Sequence, residues 1–384
     1  MIGLTGRIAA QARRFGPLPW SVFMEAALYD PEDGFYESGG GAGRRKDFVT
    51  SPELGSLFGA TWARALDGWW EELGRPDPYV VVEAGAGTGT LARDVLAAEP
   101  QCAPALRYVL VERSARLREA QAGRLPLELP AFVLGPSEPG RGDADDSSGR
   151  AVPGAGPMVT SLAELPALTF DGVIFANELL DNLSFDLLES RQGTWHEVRV
   201  AADTNADRLV EVLVTAAPDL AAEANRLVGG EATEGARIPM QREPARWLRQ
   251  ALWLLDAGSV VLVDYADTTA GLARTPWPRW LRTFRQHQPG GPPLEDPGAQ
   301  DITCVVAVDQ LAAIRPPTSD ETQADWLAAH GIWDLRDDAQ RKWWERAPVG
   351  DLEAMKARSR IQEASALTDP HGLGAFRVLT WRVP

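Results

Sequence analysis

The segment spanning residues 79–90 limits the possible folds of this chain more than any other part of the sequence. An apolar run from Tyr79 to Glu83 ends in an acid and leads directly into a loop with glycine at alternating positions, Gly85, Gly87 and Gly89. Glycine adopts positive φ values without a steric penalty and allows a ligand to lie against the backbone. A strand followed by such a loop and a helix predicts a ligand-binding crevice at the end of a parallel strand.

Apolar runs and helical patterns alternate on both sides of this loop. We predict strands at residues 79–83, 107–112, 132–134, 171–176 and 259–264, and helices at residues 89–98, 114–123 and 243–256. This order predicts an α/β fold, a Rossmann-like domain with a mostly parallel sheet and crossover helices. Further elements are an N-terminal helical extension at residues 5–30 and 52–73, an inserted hairpin at 195–200 and 209–214, and a closing strand at 376–381.

The length of 384 residues suits two domains, or one domain with large additions. We expect an N-terminal helical segment and lid at residues 1–75, and a ligand-binding domain at residues 76–384. Within the second region, residues 135–157 are rich in Gly, Pro, Ser and Asp, which predicts a disordered insertion. Residues 185–245 are expected to form another insertion, on the side of the domain that receives the second substrate.

The spacing of the glycines distinguishes between two classes of nucleotide ligand. In a dinucleotide fingerprint, G-x-G-x-x-G, the third glycine would fall at position 90, which is Thr90. The pattern here is E-x-G-x-G-x-G, and the acid Glu83 suits the positively charged end of S-adenosylmethionine better than a pyrophosphate. We expect Glu83 to act through water or the backbone near the methionyl ammonium. A dehydrogenase is the weaker alternative.

Glu112 is predicted to bind the ribose of this cofactor. It ends the next predicted strand, 23 residues after Gly89, close to the spacing of about 20 residues expected for an acid that binds ribose hydroxyls. The alternative is a solvent-exposed glutamate at a strand end. The adenine contact is expected in the loop after the third strand, where the sequence singles out no residue.

The segments around the glycine loop resemble the MidA family, S-adenosylmethionine-dependent protein arginine methyltransferases of bacteria and mitochondria. Eukaryotic members of that family assist the assembly of respiratory complex I. The likeness spans residues 17–381, in the same order, and it is carried by Asp30–Tyr36, Asp47–Leu54, Phe58-Gly59, Val111–Ser114 with Leu117 and Gln121, Ala176–Leu183, Leu262–Tyr265, Pro297-Gly298 and Asp301–Thr303. Positions that depart from the family pattern are Lys46, Asn182, Ser184, Ala266 and Val305.

This resemblance implies a class I methyltransferase that modifies an arginine of a protein, with Glu178 and Asp181 in the acceptor site. Paired carboxylates can hold a planar guanidinium bidentately and stabilise the developing positive charge. The i, i+3 spacing of the two acids predicts that they share one face of a helical turn. Asn177 is expected to bind the acceptor or to order the methionyl end of the cofactor. The alternative is that Asn177 or Asp181 caps the following helix.

Ser51 and Glu53 are expected to reach over the cofactor from the N-terminal segment, which its glycine-rich stretch would allow to act as a lid. The alternative is an ordinary helix start, with Thr50 or Ser51 as N-cap, Pro52 at the first position and Glu53 in the first turn.

Charge and composition restrict the partners. A formal net charge of −16 disfavours nucleic acid and favours a basic protein partner, for which the resemblance adds components related to a respiratory complex. The two cysteines have no C-x-x-C partner, so neither a disulfide framework nor a metal site is expected. No apolar stretch approaches the roughly 20 residues of a membrane span, and no targeting signal is visible. We expect a cytoplasmic location in a bacterium, and a mitochondrial one if the source is eukaryotic.

Two further functions stay open. The departures near Asn182 and Val305 permit a small-molecule methyltransferase that has kept the cofactor half. A non-enzymatic assembly or interaction protein with a retained cofactor pocket is also possible, although the intact glycines and Glu112 argue against it.

Overall fold

The computed structural model describes residues 3–40, 50–135, 153–203, 208–286 and 288–384. The chain forms two compact units, built from segments that alternate along the sequence. Unit 1 comprises Met1–Val49, Glu178–Arg249 and Asp264–Pro316, and unit 2 comprises Thr50–Asn177, Gln250–Val263 and Pro317–Pro384. The segment 1–75, predicted as one region, is therefore shared between both units. Most of the predicted disordered insertion, residues 136–152, lies outside the described residues.

Unit 2 is built on a seven-stranded sheet of the order β16-β17-β10-β5-β2-β3-β4. Strands and helices are numbered along the whole chain, and the strands of this sheet are β2 (Tyr79–Ala84), β3 (Leu106–Val111), β4 (Met158–Leu162), β5 (Phe170–Asn177), β10 (Leu255–Asp264), β16 (Ser319–Thr322) and β17 (Arg377–Val383). The five strands from β10 to β4 pair in parallel, and β16 pairs antiparallel with β17. The predicted α/β fold with a mostly parallel sheet is thus confirmed.

The predicted strand at residues 132–134 is wrong. These residues belong to helix α8 (Pro130–Leu134), and the third parallel strand is β4, which the sequence pattern did not reveal. Pro130 stands in the first turn of α8, where a missing N–H costs nothing and the fixed φ of proline favours a helix.

The other helices of unit 2 pack their apolar faces on this sheet or on one another. They are α4 (Ser51–Leu54), α5 (Ser56–Glu72), α6 (Thr90–Ala97), α7 (Ala115–Ala122), α13 (Gln323–Ala329), α14 (Ile332–Arg346) and α15 (Leu352–Leu367). Trp62 of α5 is fully buried, with ring centroids 4.3 Å from Phe175 of β5 and 4.7 Å from Trp326 of α13. Trp62 and Trp326 therefore belong to the core, whereas Trp253 and Trp344 are exposed.

Unit 1 contains a five-stranded antiparallel sheet in the order β1-β7-β6-β9, with β8 on the free side of β7. Its strands are β1 (Leu18–Pro19), β6 (Asp186–Arg191), β7 (Thr194–Ala202), β8 (Leu209–Thr215) and β9 (Arg237–Met240). The predicted hairpin is therefore present as β7 and β8, within a larger sheet that occupies most of the predicted insertion at 185–245.

Short strands and helices complete unit 1. The strands are β11 (Ala266–Asp267), β12 (Leu281–Arg285), β13 (Gln288–Pro289), β14 (Asp301–Cys304) and β15 (Val306–Ala307). The helices are α1 (Leu4–Phe15), α2 (Trp20–Tyr29), α3 (Phe35–Ser38), α9 (Pro218–Val228), α11 (Thr269–Arg274) and α12 (Val308–Ala312), while α10 (Arg242–Leu254) runs from unit 1 into unit 2. Trp20 and Phe23 of α2, Val200 of β7 and Ile302 of β14 belong to one buried cluster.

Candidate functional site

The glycine loop of unit 2 connects β2 to α6. Gly85, Gly87 and Gly89 have φ values of 71°, 52° and 76°, so all three occupy the left-handed region in which other residues are strained. The N–H groups of Gly85 and Ala86 donate to the carbonyl of Val111 at the end of β3, over 2.9 and 3.1 Å. The alternating glycines therefore fold the loop back across the ends of two adjacent parallel strands.

Glu112 fixes this loop through both oxygens of its carboxylate. Its Oε2 accepts a hydrogen bond from the N–H of Gly87 and its Oε1 accepts one from the N–H of Ser114, each over 2.9 Å. Ser114 in turn caps α7, since its Oγ accepts from the N–H of Leu117. Each carboxylate oxygen has a second lone pair. Glu112 can therefore hold the loop and accept hydroxyl donors from a ligand at the same time.

Gln121 supports the same loop, although the sequence offered it only as part of a family motif. Its side-chain amide donates to the carbonyl of Gly87 over 2.7 Å and accepts from the hydroxyl of Ser161 over 2.6 Å. Gln121 is fully buried. A polar side chain in the core is stable only with its hydrogen bonds made, so Gln121 links β4, α7 and the loop.

The side chain of Glu83 lies under the loop, in the core of unit 2. It is 5% exposed, and its carboxyl accepts a 2.6 Å hydrogen bond from the hydroxyl of Tyr108 and another from the N–H of Ala92. Burial raises the pKa of Glu83 to about 8, although both hydrogen bonds act in the opposite direction. At pH 7 the carboxyl is therefore mostly neutral. Any effect on a methionyl ammonium has to pass through water or the backbone, as the sequence suggested.

This burial predicts how the stability of the protein depends on pH. The folded state keeps the Glu83 proton up to about pH 8, whereas the unfolded chain loses it near 4.5. The folded state thus binds more protons in that window, and the free energy of unfolding falls as the pH rises through it. In the Glu83→Gln variant we expect the free energy of unfolding to fall less steeply between pH 5 and 8. The midpoint of urea unfolding at each pH measures this effect. The exposed Glu164→Gln is the matched control, and equal slopes in both variants would contradict this assignment.

Ser51 and Glu53 occupy different environments. Ser51 has no exposed surface and its hydroxyl donates to Gln323 over 3.1 Å, so it supports the fold, and its contact with the cofactor stays a prediction. Glu53 accepts a 2.9 Å hydrogen bond from the hydroxyl of Thr90, the first residue of α6 after the glycine loop. Arg124 donates to the same hydroxyl over 2.8 Å. Glu53 therefore lies beside the loop, and its contact with the cofactor stays a prediction.

The helix-start interpretation of this segment is partly correct. Helix α4 begins at Ser51, with a proline and Glu53 in its first turn. Thr50 is the N-cap residue, but it makes no side-chain capping bond. The residues 47–49 of the same motif lie outside the described part of the chain.

The acceptor-side motif passes from β5 into unit 1. Asn177 is the half-buried last residue of β5, and Glu178 follows it with a φ of 53°, which is strained for a glutamate. A short 3-10 turn then spans Leu180–Asn182, and no side chain caps it. The predicted helical turn with Glu178 and Asp181 on one face is therefore wrong, because the backbone at Glu178 is not helical. Capping by Asn177 or Asp181 does not occur either.

Asp264 holds this turn in place. Its Oδ2 accepts from the N–H groups of Leu180 and Asp181 over 3.0 and 3.2 Å, and its Oδ1 accepts from the N–H of Tyr265 over 2.9 Å. Asp264 is 5% exposed. The acid at the end of β10 thus fixes a turn that lies 83 and 84 residues before it in the sequence.

Asp301 adds a fourth acid to Glu178, Asp181 and Asp264, and we call these four residues the acid cluster. Asp301 has no exposed surface. Its Oδ1 accepts from the hydroxyl of Tyr36 over 3.2 Å, the side-chain amide of Asn182 over 3.1 Å and the N–H of Ile302 over 3.0 Å. Asn182, one of the departures from the family pattern, therefore has a structural partner.

Burial and mutual repulsion raise the pKa values of the three aspartates of the acid cluster. The pKa of Asp181 rises to about 7 and that of Asp301 to about 8, in both cases mainly through burial and then through a neighbouring acid. The pKa of Asp264 is raised well above its usual value for the same reasons. One cation, Arg282, opposes this effect at Asp181. The acid cluster thus carries more potential negative charge than Arg282 can balance.

Within the described ranges, no group of three or more His, Cys, Asp or Glu side chains has an arrangement suited to a metal ion. The same part of the chain contains no helix with both the length and the apolar character of a membrane span.

Comparison with known proteins relates the chain to methyltransferases. Residues 61–323 match the model of a family described as "Putative S-adenosyl-L-methionine-dependent methyltransferase". The mitochondrial protein arginine methyltransferase NDUFAF7 homolog of Drosophila melanogaster is 26% identical over 308 residues, 79% of this chain and 68% of that protein. The mitochondrial protein arginine methyltransferase NDUFAF7 of Xenopus tropicalis is 26% identical over 348 residues, 87% of this chain and 76% of that protein.

Solved structures show the same relationship over the whole chain. A Burkholderia thailandensis protein bound to S-adenosyl-homocysteine has a TM-score of 0.78 and 26% sequence identity, covering 99% of this chain and 92% of that chain. A native crystal structure of a protein from the same organism gives a TM-score of 0.77 at the same identity.

Proposed function

The chain belongs to this family of S-adenosyl-L-methionine-dependent methyltransferases, and we propose that it methylates an arginine side chain of a protein. The relatives from Drosophila melanogaster and Xenopus tropicalis carry the name protein arginine methyltransferase. The observation that carries the proposal for this chain is the acid cluster. It combines three buried carboxyl groups, of Asp181, Asp264 and Asp301, with the half-buried Glu178, and among the described residues Arg282 opposes their charge at Asp181, so it fits a cationic acceptor.

The glycine loop fits the cofactor. A Cβ placed on Gly87 would meet nothing within 4 Å, so the backbone there borders open space. We assign the methionyl and ribose parts of the cofactor to the backbone of Gly85, Gly87 and Gly89 and to the carboxylate of Glu112. Glu53 lies beside the loop, next to Thr90. Glu83, on the strand that leads into the loop, is hydrogen-bonded to Tyr108 in the core of unit 2. When bound, S-adenosylmethionine supplies an activated methyl group on a sulfonium.

The acid cluster supplies what an arginine acceptor needs. A guanidinium has five N–H donors in a plane, and carboxylates match this arrangement bidentately. Glu178 and Asp181 would orient the acceptor nitrogen for in-line attack and stabilise its positive charge. The nitrogen loses one proton as its bond to carbon forms, and a carboxylate with raised pKa is suited to accept it. Asn177 would orient the acceptor or the methionyl end of the cofactor.

The partner we propose is a basic segment of a protein. The net charge of −16 attracts such a segment and repels phosphate backbones. The two relatives described above are mitochondrial proteins. For this chain we propose the cytoplasm if the source is bacterial, and the mitochondrion if it is eukaryotic.

A transfer assay with methyl-tritiated S-adenosylmethionine tests the arginine acceptor. We expect label in basic peptides that contain arginine, and none in matched peptides in which lysine replaces each arginine, because only the guanidinium offers a planar fork. Label confined to the small-molecule fraction of a cell lysate would instead indicate a small-molecule methyltransferase. Cofactor binding with no transfer to either fraction would indicate a non-enzymatic role.

A further inference from the structure

Two carboxyl oxygens of the acid cluster have no hydrogen-bond donor among the described residues, and we call them the bare oxygens. Oδ1 of Asp181 and Oδ2 of Asp301 are buried and have no hydrogen-bond partner among the described residues. The residues themselves are 4% and 0% exposed. Leaving a buried acceptor unsatisfied is costly, most of all when the group is charged. Each of these oxygens therefore needs either a proton or a donor that the protein does not provide.

The other oxygen of Asp301 already has three donors. Tyr36, Asn182 and Ile302 donate to Oδ1 of Asp301. The carboxyl group of Asp301 cannot rotate to satisfy its bare oxygen without breaking these bonds. Asn182 follows Asp181 in the chain and bonds to Asp301, so it ties the two acids together.

We propose that Asp301 is a further acceptor-binding carboxylate beside Asp181, and that the two share a proton in the free protein, which the acceptor guanidinium displaces into solvent. This inference rests on the proposed arginine specificity and adds to it a residue and a proton exchange. The guanidinium brings N–H donors for both bare oxygens together with a positive charge. One cation replaces one proton, so the charge of the site is unchanged.

The surroundings of the two acids favour such an exchange. The ionisable groups that act on them are Glu178, Asp264, Tyr36, Tyr265, Arg282 and Cys304. The pKa values of Tyr36, Tyr265 and Cys304 are raised well above their usual range by burial, so these groups stay neutral. The guanidinium of Arg282 lies 5.0 Å from the centroid of the Tyr265 ring. Charge at the site therefore changes mainly through the acids.

We expect acceptor binding to become stronger as the pH rises. Asp181 and Asp301 hold protons below about pH 7 and 8, whereas an arginine stays charged throughout this range. Between these two values the pair holds one proton, which acceptor binding must release, and above about pH 8 no proton has to leave. Affinity for the acceptor is therefore expected to increase as the pH rises from about 7 to 9, by at most about one decade per pH unit.

Carbon-13 NMR of the aspartate carboxyl groups in the free full-length protein tests the shared proton without any substrate. We expect two carboxyl resonances that titrate together near neutral pH. In Asp301→Asn the remaining resonance of Asp181 should titrate at lower pH, because its acidic neighbour is gone. In Tyr36→Phe the titration of Asp301 should move to higher pH, because a donor to its charged form is lost. Independent titration of Asp181, unaffected by Asp301→Asn, would overturn the shared proton.

Calorimetry with Nα-acetyl-arginine amide tests the displacement. In buffers with different ionisation enthalpies, we expect about one proton to be released per ligand at pH 7.5, where the pair holds one proton, and fewer at pH 9. Asp301→Asn should weaken binding by about thirtyfold or more and abolish the release. The exposed Asp219→Asn serves as the matched control and should do neither.

The possible results distinguish a failure of the role proposed for Asp301 from a failure of the proposed arginine acceptor. Binding without proton release, or unchanged affinity in Asp301→Asn, would overturn the role of Asp301 and leave the arginine acceptor standing. A shared proton in the free protein, with no binding of the arginine amide and no transfer to arginine peptides, would instead overturn the arginine acceptor and the displacement together.

Discussion

A Gly87→Val variant is expected to lose at least about a hundredfold in affinity for S-adenosylmethionine, because the new side chain fills space that the cofactor needs. A Cβ at this position meets no atom of the described residues within 4 Å, so there is open space for it in the free protein. The φ value of 52° adds a backbone strain of about 1–2 kcal/mol. Calorimetric titration with S-adenosylmethionine measures the effect.

The Gly193→Val variant separates the effect of backbone strain from that of blocking the space for the cofactor. Gly193 has a φ of 72° and also lacks neighbours within 4 Å of a Cβ, but it lies in the turn between β6 and β7 of unit 1. We expect similar losses of thermal stability in both variants and a loss of cofactor affinity in Gly87→Val alone. Equal cofactor affinity in the two variants would show that the glycine loop does not bind the cofactor.

Glu178→Gln is expected to lower kcat by about 10² to 10³-fold while the dissociation constant of S-adenosylmethionine stays unchanged. The substitution keeps the size of the side chain and removes its charge. Glu178 has a φ of 53°, and strained backbone of this kind is common where a side chain must be held for function. Loss of the charge removes stabilisation of the cationic acceptor as the methyl group arrives.

Single-turnover transfer to an arginine peptide measures this effect apart from product release. Glu231→Gln, an exposed glutamate of the same unit, is the matched control and should retain full activity. If Glu178→Gln retained the wild-type rate of transfer, Glu178 would have no role in the acceptor site.

The parallel sheet could be predicted because its signals are local. The strands β2, β3, β5 and β10 are apolar runs, and the loop after β2 requires glycine at three positions that the structure places at positive φ. β4 was missed because it is short and follows a long segment of turn-forming residues, whereas the apolar residues of α8 resemble a strand. A five-residue pattern cannot distinguish a strand from a helix.

The acid cluster could be predicted only in part. Glu178 and Asp181 lie in one motif, but Asp264 and Asp301 come from distant segments, and only the tertiary fold brings them to the same turn. No local pattern shows that Asp181 and Asp301 lack donors for one oxygen each, because this depends on every neighbouring group. The positive φ of Glu178 is equally invisible in the sequence, since glutamate rarely adopts it.

The sequence also could not predict in which direction some side chains point. The sequence did not show that Glu83 and Ser51 have core positions. In a strand, alternate residues point to opposite faces, and the motif does not indicate which face carries a partner such as Tyr108. The position of Glu112 beside the glycine loop could be predicted because it follows β3 directly, and its contact with the ribose stays a prediction.

The central claim is that the glycine loop of unit 2 binds S-adenosylmethionine, and a crystal structure with S-adenosyl-homocysteine tests it most directly. We predict that the ligand lies along the backbone of Gly85, Gly87 and Gly89, with both ribose hydroxyls within about 3 Å of the carboxylate of Glu112. Electron density for the ligand at another place, or none at saturating concentration, would contradict the account.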